Sequence, residues 1–474
     1  MRKKMPSIHS GFVGLIFFLF FALSVNNTAF SQTTPEEAVE LWNLRQTEIQ
    51  QFYQEGNLEG ALNSAQEAVS LAETAFGSGS LETISSLLLQ AQIHSEMDQL
   101  EEANQIYQVT LETSVASFGE SDATTLSVLD NYGEFLNSID PEMAEPVFQE
   151  ALQLSSEDDP QRASRMKAVG LNLLELGRII EAEEMLKQAL KTFKEISGEK
   201  NTEALSAMAS LAQLYMSQGK LKHAQELFET ALPMMLEALD ETSFLILESK
   251  ENLAEIYRQQ GKYSQAETLF LQSMKAAEAE YGEEDPLVVQ AKSHLAQLYE
   301  DTGKLKQALA FHQQVYEIDS ELLGERHPNT AGDLNNLASV QRRLGDYQKA
   351  EKLFRQSLKI MIAALGEESP QTVSVMNNLA LLLENQGLYD EAEPLFKKAF
   401  AISGKIQGEL HPTTLALLNN LAFLYESQGD FMRSELNYKE VIQLNTEVFG
   451  ENHTNTIANQ NNLAYLYLRD ERYN

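Results

Sequence analysis

The chain has 474 residues, no cysteine and a formal charge of −35. Without cysteine there is no disulfide, thiolate metal site or cysteine nucleophile. A surface of this sign repels nucleic-acid phosphates and anionic lipid, so partners of those classes are not expected.

Taken from the start, Arg2, Lys3 and Lys4 precede an apolar run from Gly11 to Ser24, and Ala29-Phe30-Ser31 places small residues around a cleavage position ahead of Gln32. This is the layout of a secretory signal peptide, and the run is short for a membrane span of roughly 20 residues. Residues 1–31 are therefore expected to direct export, to a periplasmic or extracellular site, with cleavage after Ser31 and no membrane insertion afterwards. Pro35 with Glu36 and Glu37 then opens a first helix reaching about Gln54, since proline suits the first turn and acids complement the helix dipole. Trp42, the sole tryptophan, lies on it and is expected to pack the end of the stack.

Residues 32–160 are divergent and strongly acidic; positions 36–160 hold 25 acids and a single base, Arg45. Gly56 followed by Ala61 marks one helical hairpin, and Asp98 stands where a second turn glycine belongs. Asp140-Pro141 and the stretch Ser155 to Pro160 read as shortened connections, so the third hairpin is expected to have lost the end of its second helix. A soft boundary is placed near 160, with no Gly/Ser-rich or Pro-rich linker.

From 161 to 455 a period of 42 residues governs the chain. Asn335-Asn336-Leu337-Ala338 recurs as Asn377-Asn378-Leu379-Ala380, Asn419-Asn420-Leu421-Ala422 and Asn461-Asn462-Leu463-Ala464. The motif leucine steps back through Leu295, Leu253 and Leu211 to Val169, and eight residues after each comes a glycine, from Gly177 to Gly429. Five residues beyond each glycine sits a small residue, Ala182 through Ala392 and then Ser434, where two helices approach closely. A second glycine ladder, including Gly198, Gly282, Gly324 and Gly366, ends the longer helix of each pair. A fixed period of this size predicts stacked helical hairpins, each burying its apolar face against its neighbours. The count is ten hairpins, seven regular and three divergent, followed in 456–474 by a lone helix from about Thr456 to Arg469. Tyr465 and Tyr467 on that helix raise the expectation of a terminal cap or of a continuation beyond Asn474.

The spacing of Leu421, Ala422, Tyr425, Gly429, Ser434 and Tyr438 resembles the tetratricopeptide repeat (TPR). The 42-residue period, the Asn-Asn-Leu-Ala motif and the turns Gly-Glu-Arg-His-Pro (324–328) and Gly-Glu-Leu-His-Pro (408–412) resemble its kinesin light chain subtype, here as an exported bacterial relative. The resemblance implies an all-α, right-handed solenoid whose first helices line a concave groove. It also implies that asparagines of that groove pair with the backbone of an extended peptide. The export signal departs from a cytosolic motor adaptor.

No catalytic motif is found, neither a phosphate-binding glycine loop nor a nucleophile elbow, and no cofactor is expected. His327, His411 and His453 fall in different repeats and lack zinc-ligand spacing, so they are expected to cap helices or to pack in the loop before the next hairpin, and no metal site is assigned. The candidate peptide-binding residues are Asn335, Asn336, Asn377, Asn378, Asn419, Asn420, Asn461, Asn462 and Arg342. An amide offers both donor and acceptor, and adjacent positions on a helix differ by about 100°. One row is therefore expected to face the groove and the other to tie neighbouring helices. Seven residues further along lie Arg342 and Arg343, which either hold a ligand carboxylate or, the reading preferred from sequence, are solvated surface charges. The reading is a non-enzymatic scaffold for a peptide or protein segment. The alternatives are a regulatory array for a C-terminal effector domain outside this chain, and an enzyme with an unreadable site.

Overall fold

The computed structural model describes residues 33–470; the expected signal peptide, 1–31, and its expected cleavage position lie outside them. Among the described residues the chain is all-helical, with 21 helices packed pairwise. It divides between Ala238 and Leu239 into two compact units.

The first unit contains five hairpins: α1 (Pro35–Gln54) with α2 (Leu58–Phe76), α3 (Leu81–Glu96) with α4 (Leu100–Phe118), α5 (Ala123–Ile139) with α6 (Pro141–Leu154), α7 (Arg162–Glu175) with α8 (Ile179–Ser197), and α9 (Thr202–Ser217) with α10 (Leu221–Ala238). The second contains α11 (Phe244–Gln259) with α12 (Tyr263–Tyr281), α13 (Pro286–Asp301) with α14 (Leu305–Leu322), α15 (Pro328–Arg343) with α16 (Tyr347–Leu365), α17 (Pro370–Asn385) with α18 (Tyr389–Ile406), and α19 (Pro412–Gln428) with α20 (Phe431–Phe449). A single helix, α21 (Thr454–Arg469), packs on α20. The helix α6 has 14 residues where its counterparts have 18 or 19, which is the shortening expected near 155. The change in charge at 160 thus falls inside the first unit, next to this short helix.

Three local devices repeat. The turn inside nine of the ten hairpins uses a left-handed residue, in eight of them a glycine such as Gly345 (φ 83°), whereas the α5–α6 turn passes through Asp140 with extended backbone (φ −158°). At Gly345 the next amide, from Asp346, reaches back to the Gln341 carbonyl at 3.0 Å, closing the helix end. Asp98 holds the same conformation at φ 60°, the one non-glycine among the described residues with positive φ, and Gln99 N–H still donates to the His94 carbonyl at 2.9 Å. Between hairpins, a buried threonine six residues after the second glycine donates to that glycine's carbonyl: Thr330 to Gly324 (3.0 Å), Thr372 to Gly366 (2.8 Å), Thr414 to Gly408 (2.9 Å) and Thr456 to Gly450 (2.9 Å). The three loop histidines cap helices: Nδ1 of His327, His411 and His453 accepts from the backbone N–H two residues on, each at 3.2 Å.

The core sits between the two helices of each hairpin and the first helix of the next. Ala350 and Ala392 are fully buried, and Phe228, Phe270, Phe354, Phe396 and Tyr438 occupy one slot of successive second helices with no exposure. The slot between Phe270 and Phe354 holds His312, also buried, whose Nε2 lies 2.9 Å from Glu300 Oε1. At the other end of the chain, Trp42 donates from Nε1 to Ser86 Oγ (3.0 Å) and stands edge-on to Phe76, fastening α1 to α3 rather than capping the stack alone.

Candidate peptide-binding face

In the second unit first helices touch first helices directly: α11 on α13, α15 on α17, and α17 on α19. The side chains joining them obey one rule, that a residue of one repeat meets the residue 43 positions later. Two such ladders run along the face.

The upper ladder contains the asparagines. Asn378 Nδ2 donates to Asn335 Oδ1 (2.9 Å), Asn420 to Asn377 (2.8 Å) and Asn462 to Asn419 (3.1 Å). Within a repeat, Asn335 leans toward Asn336 (3.5 Å) and Asn377 toward Asn378 (3.4 Å), contacts at the long limit of a hydrogen bond. The two rows are therefore not divided between groove and framework, because every inter-repeat rung takes one member from each row. Asn336 and Asn461 are exposed at the ends, while the other six amides are half-buried. Two rungs upstream of the Asn335–Asn378 rung the ladder carries other chemistry, with His294 Nδ1 2.5 Å from Glu251 Oε2. Each of Asn335, Asn377 and Asn419 spends one acceptor site on its neighbour, and an amide has two donors and two acceptors. Capacity for a ligand remains.

The lower ladder, seven residues on, is ionic. Arg258 pairs with Asp301, Arg343 donates to Glu300 (2.9 Å), and Arg469 donates to Glu426 (2.8 Å). Between these rungs Arg342 meets only the neutral Asn385, from Nη1 at 3.3 Å, and its Nε is buried without a partner. Asn385 donates in turn to Glu384 Oε2 (2.8 Å), and Ser427 donates to Glu384 Oε1 (2.6 Å). Burial, with Arg343 alongside, pulls the Arg342 guanidinium below its ordinary value, and Tyr347, Glu384 and Glu300 offset part of this. Arg342 is thus a partly desolvated cation, short of acceptors, at the edge of the asparagine ladder. Burial pushes Glu300 up, but His312 and Arg343 outweigh it and hold that carboxyl below its ordinary value.

A family model for the tetratricopeptide repeat matches residues 162–237, 245–321, 287–363, 331–405, 371–443 and 413–474, which together span most of the chain. The chain belongs to the tetratricopeptide repeat family. Solved TPR structures are similar over varying lengths. The apo form of RapI is 17% identical, covering 77% of this chain and 98% of its own, with a TM-score of 0.57. The apo quorum sensor NprR of B. thuringiensis is 16% identical, covering 77% and 99%, with a TM-score of 0.56. BtubC (BKLC) of P. vanneervenii is 24% identical, covering 52% and 93%, with a TM-score of 0.39. No curated protein sequence matches the chain. The likenesses to RapI and NprR speak to the fold alone, and the TPR fold hosts many unrelated ligands. Among the described residues of this TPR protein no group of three or more His, Asp or Glu is placed to hold a metal ion, and no helix is long and apolar enough to cross a membrane.

Sequence reasoning located both asparagine rows and Arg342 but not how they pair. It also missed the threonine ladder and the His312–Glu300 pair. Both carry a signal in the 42-residue register: threonine recurs six after the second glycine, and histidine interrupts a column of aromatics.

Proposed function

We propose that this TPR array is a non-enzymatic scaffold that seats an extended peptide or protein segment along the first-helix face of its second unit. The observation that carries this reading is the row of half-buried amides from Asn335 to Asn462, each with hydrogen-bonding capacity left over. Alternating donors and acceptors along a face match the alternating N–H and C=O of an extended backbone, so such a row binds chain with little regard to its side chains. Arg342 adds one preference, for a ligand carboxylate. A partly desolvated guanidinium whose Nη end meets only the neutral Asn385 is favoured by an anion arriving at that end.

The 42-residue period and the Asn-Asn-Leu-Ala motif support placing the repeats in the kinesin light chain-like subtype. The N-terminal layout supports export. Protein recovered from the envelope or medium of the native host should then begin at Gln32, and an N-terminus at Met1 would contradict this.

The test of the groove is an array of extended peptides differing in net charge, probed with the full chain and with Arg342→Ala. The wild type should favour peptides carrying a carboxylate, and the variant should lose that preference while still binding neutral peptides. Identical profiles would remove Arg342 from the site.

A further inference from the structure

The first unit carries a different surface. An open groove of about 530 Å³ runs between α3 and α5, floored by Leu81, Ile84 and Leu88 of α3 and Ala123 of α5, with Glu82 on its edge. Leu81 is 55% exposed although apolar. A second groove of the same volume lies on α1, where Leu41 and Leu44 stand beside Glu37 and Glu40. The leucines of α3 follow helical spacing, a stripe into which the ridge of another helix fits.

The charge around these grooves is one-sided. Positions 36–160 hold 25 acids and one base. That base is spent internally, since Arg45 donates to Glu67 (2.6 Å) and to Glu48 (2.5 Å). No cation of this segment is left to neutralise Glu37, Glu40 and Glu82. A second copy of the chain would present the same acids, and like charges oppose that pairing.

We propose that the α3–α5 groove of the first unit, together with the leucines of α1, is a docking surface for a basic amphipathic helix of a partner protein. Its apolar stripe fills the groove lined by Leu81, Ile84 and Leu88, and its lysines or arginines meet Glu82, Glu37 and Glu40. This site is independent of the amide row in the second unit and selects the opposite charge from Arg342.

The test uses the full chain and a fluorescein-labelled peptide of about 18 residues, five helical turns, built from leucine and lysine as an amphipathic helix. Two peptides accompany it: the same pattern with glutamate for lysine, and the same composition scrambled so that no stripe forms. Fluorescence anisotropy should show saturable one-to-one binding of the first peptide alone. The Leu81→Ser/Leu88→Ser variant should weaken it by about tenfold or more, as the apolar contact is lost. Ser85→Arg, at an exposed groove position, should weaken it to a similar degree without touching the core, which keeps the test decisive if the leucine variant folds poorly. Asn377→Ala/Asn419→Ala should leave it unchanged, so failure here is separate from failure of the amide row. The proposal is overturned if the leucine and Ser85 variants bind as the wild type does, if the scrambled peptide binds equally by charge alone, or if no peptide saturates.

Discussion

Single side chains in this protein depart from the repeat at a few places, and each departure has a stated cost or consequence. Asp333 is the clearest. It is buried on α15 where later repeats carry Val375 and Leu417, and it faces the carboxyl of Asp319, which takes the place of Met361. Its Oδ2 is buried without a partner. Burial, and then the neighbouring Asp319 carboxylate, raise Asp333 from 3.8 to about 8. A carboxyl raised in the folded state holds a proton that the unfolded chain has already released. Stability is therefore fullest below the unfolded value and falls as pH rises toward the folded one. Asp333→Asn should accordingly raise the melting temperature much more at about pH 9 than at about pH 4, read by circular dichroism. Equal shifts at both would contradict the account. Arg342 gives a second prediction. Asn385→Asp turns its neutral rung into an ion pair but also sets a carboxylate against Glu384, to which Asn385 now donates, so stability by denaturant titration should change by less than about 1 kcal/mol while capture of acidic peptides weakens.

Helices and turns follow the 42-residue register, and at this scale the sequence was most legible. The hairpins, the turn glycines and the shortened α6 all follow from spacing, because each repeat must present the same residues at the same contact. Asp98 tests the turn: its left-handed backbone costs an aspartate roughly 1 kcal/mol that glycine does not bear. Asp98→Gly should stabilise the protein by about that amount, measured by denaturant midpoint, and destabilisation would mean that its side chain matters more. What spacing could not reveal is the offset between neighbouring repeats. The pairing of Asn378 with Asn335, or Arg469 with Glu426, needs 43 rather than 42 residues, because successive first helices are displaced by one position at their contact. Periodicity within one chain aligns equivalent residues and says nothing about which non-equivalent ones touch. The Asp319–Asp333 pair escaped for the same reason, its members standing on two helices of different hairpins.

Across the whole molecule, chemistry changes along the array. The first unit contains the acidic stretch with its exposed leucines; the second contains neutral amides and interlocked ion pairs. Net charge was readable from composition, but the division at Ala238 was not, since the repeat period runs through it unbroken. Binding at the acidic surface should weaken steeply with salt, whereas binding of neutral peptides to the amide row should be nearly indifferent to it, and titrations at two ionic strengths separate the two. The central claim remains that the amide row holds extended chain. The most direct measurement is the affinity of the full chain for a peptide selected on the array, compared with the Asn377→Ala/Asn419→Ala variant and with a scrambled peptide, with helicity followed by circular dichroism. The account predicts that the variant stays helical, melts lower by roughly 1 kcal/mol per lost amide rung, and loses the peptide, while scrambling changes wild-type affinity little. A folded variant that binds the peptide as tightly as the wild type would contradict it, and would leave the asparagines as clasps between repeats.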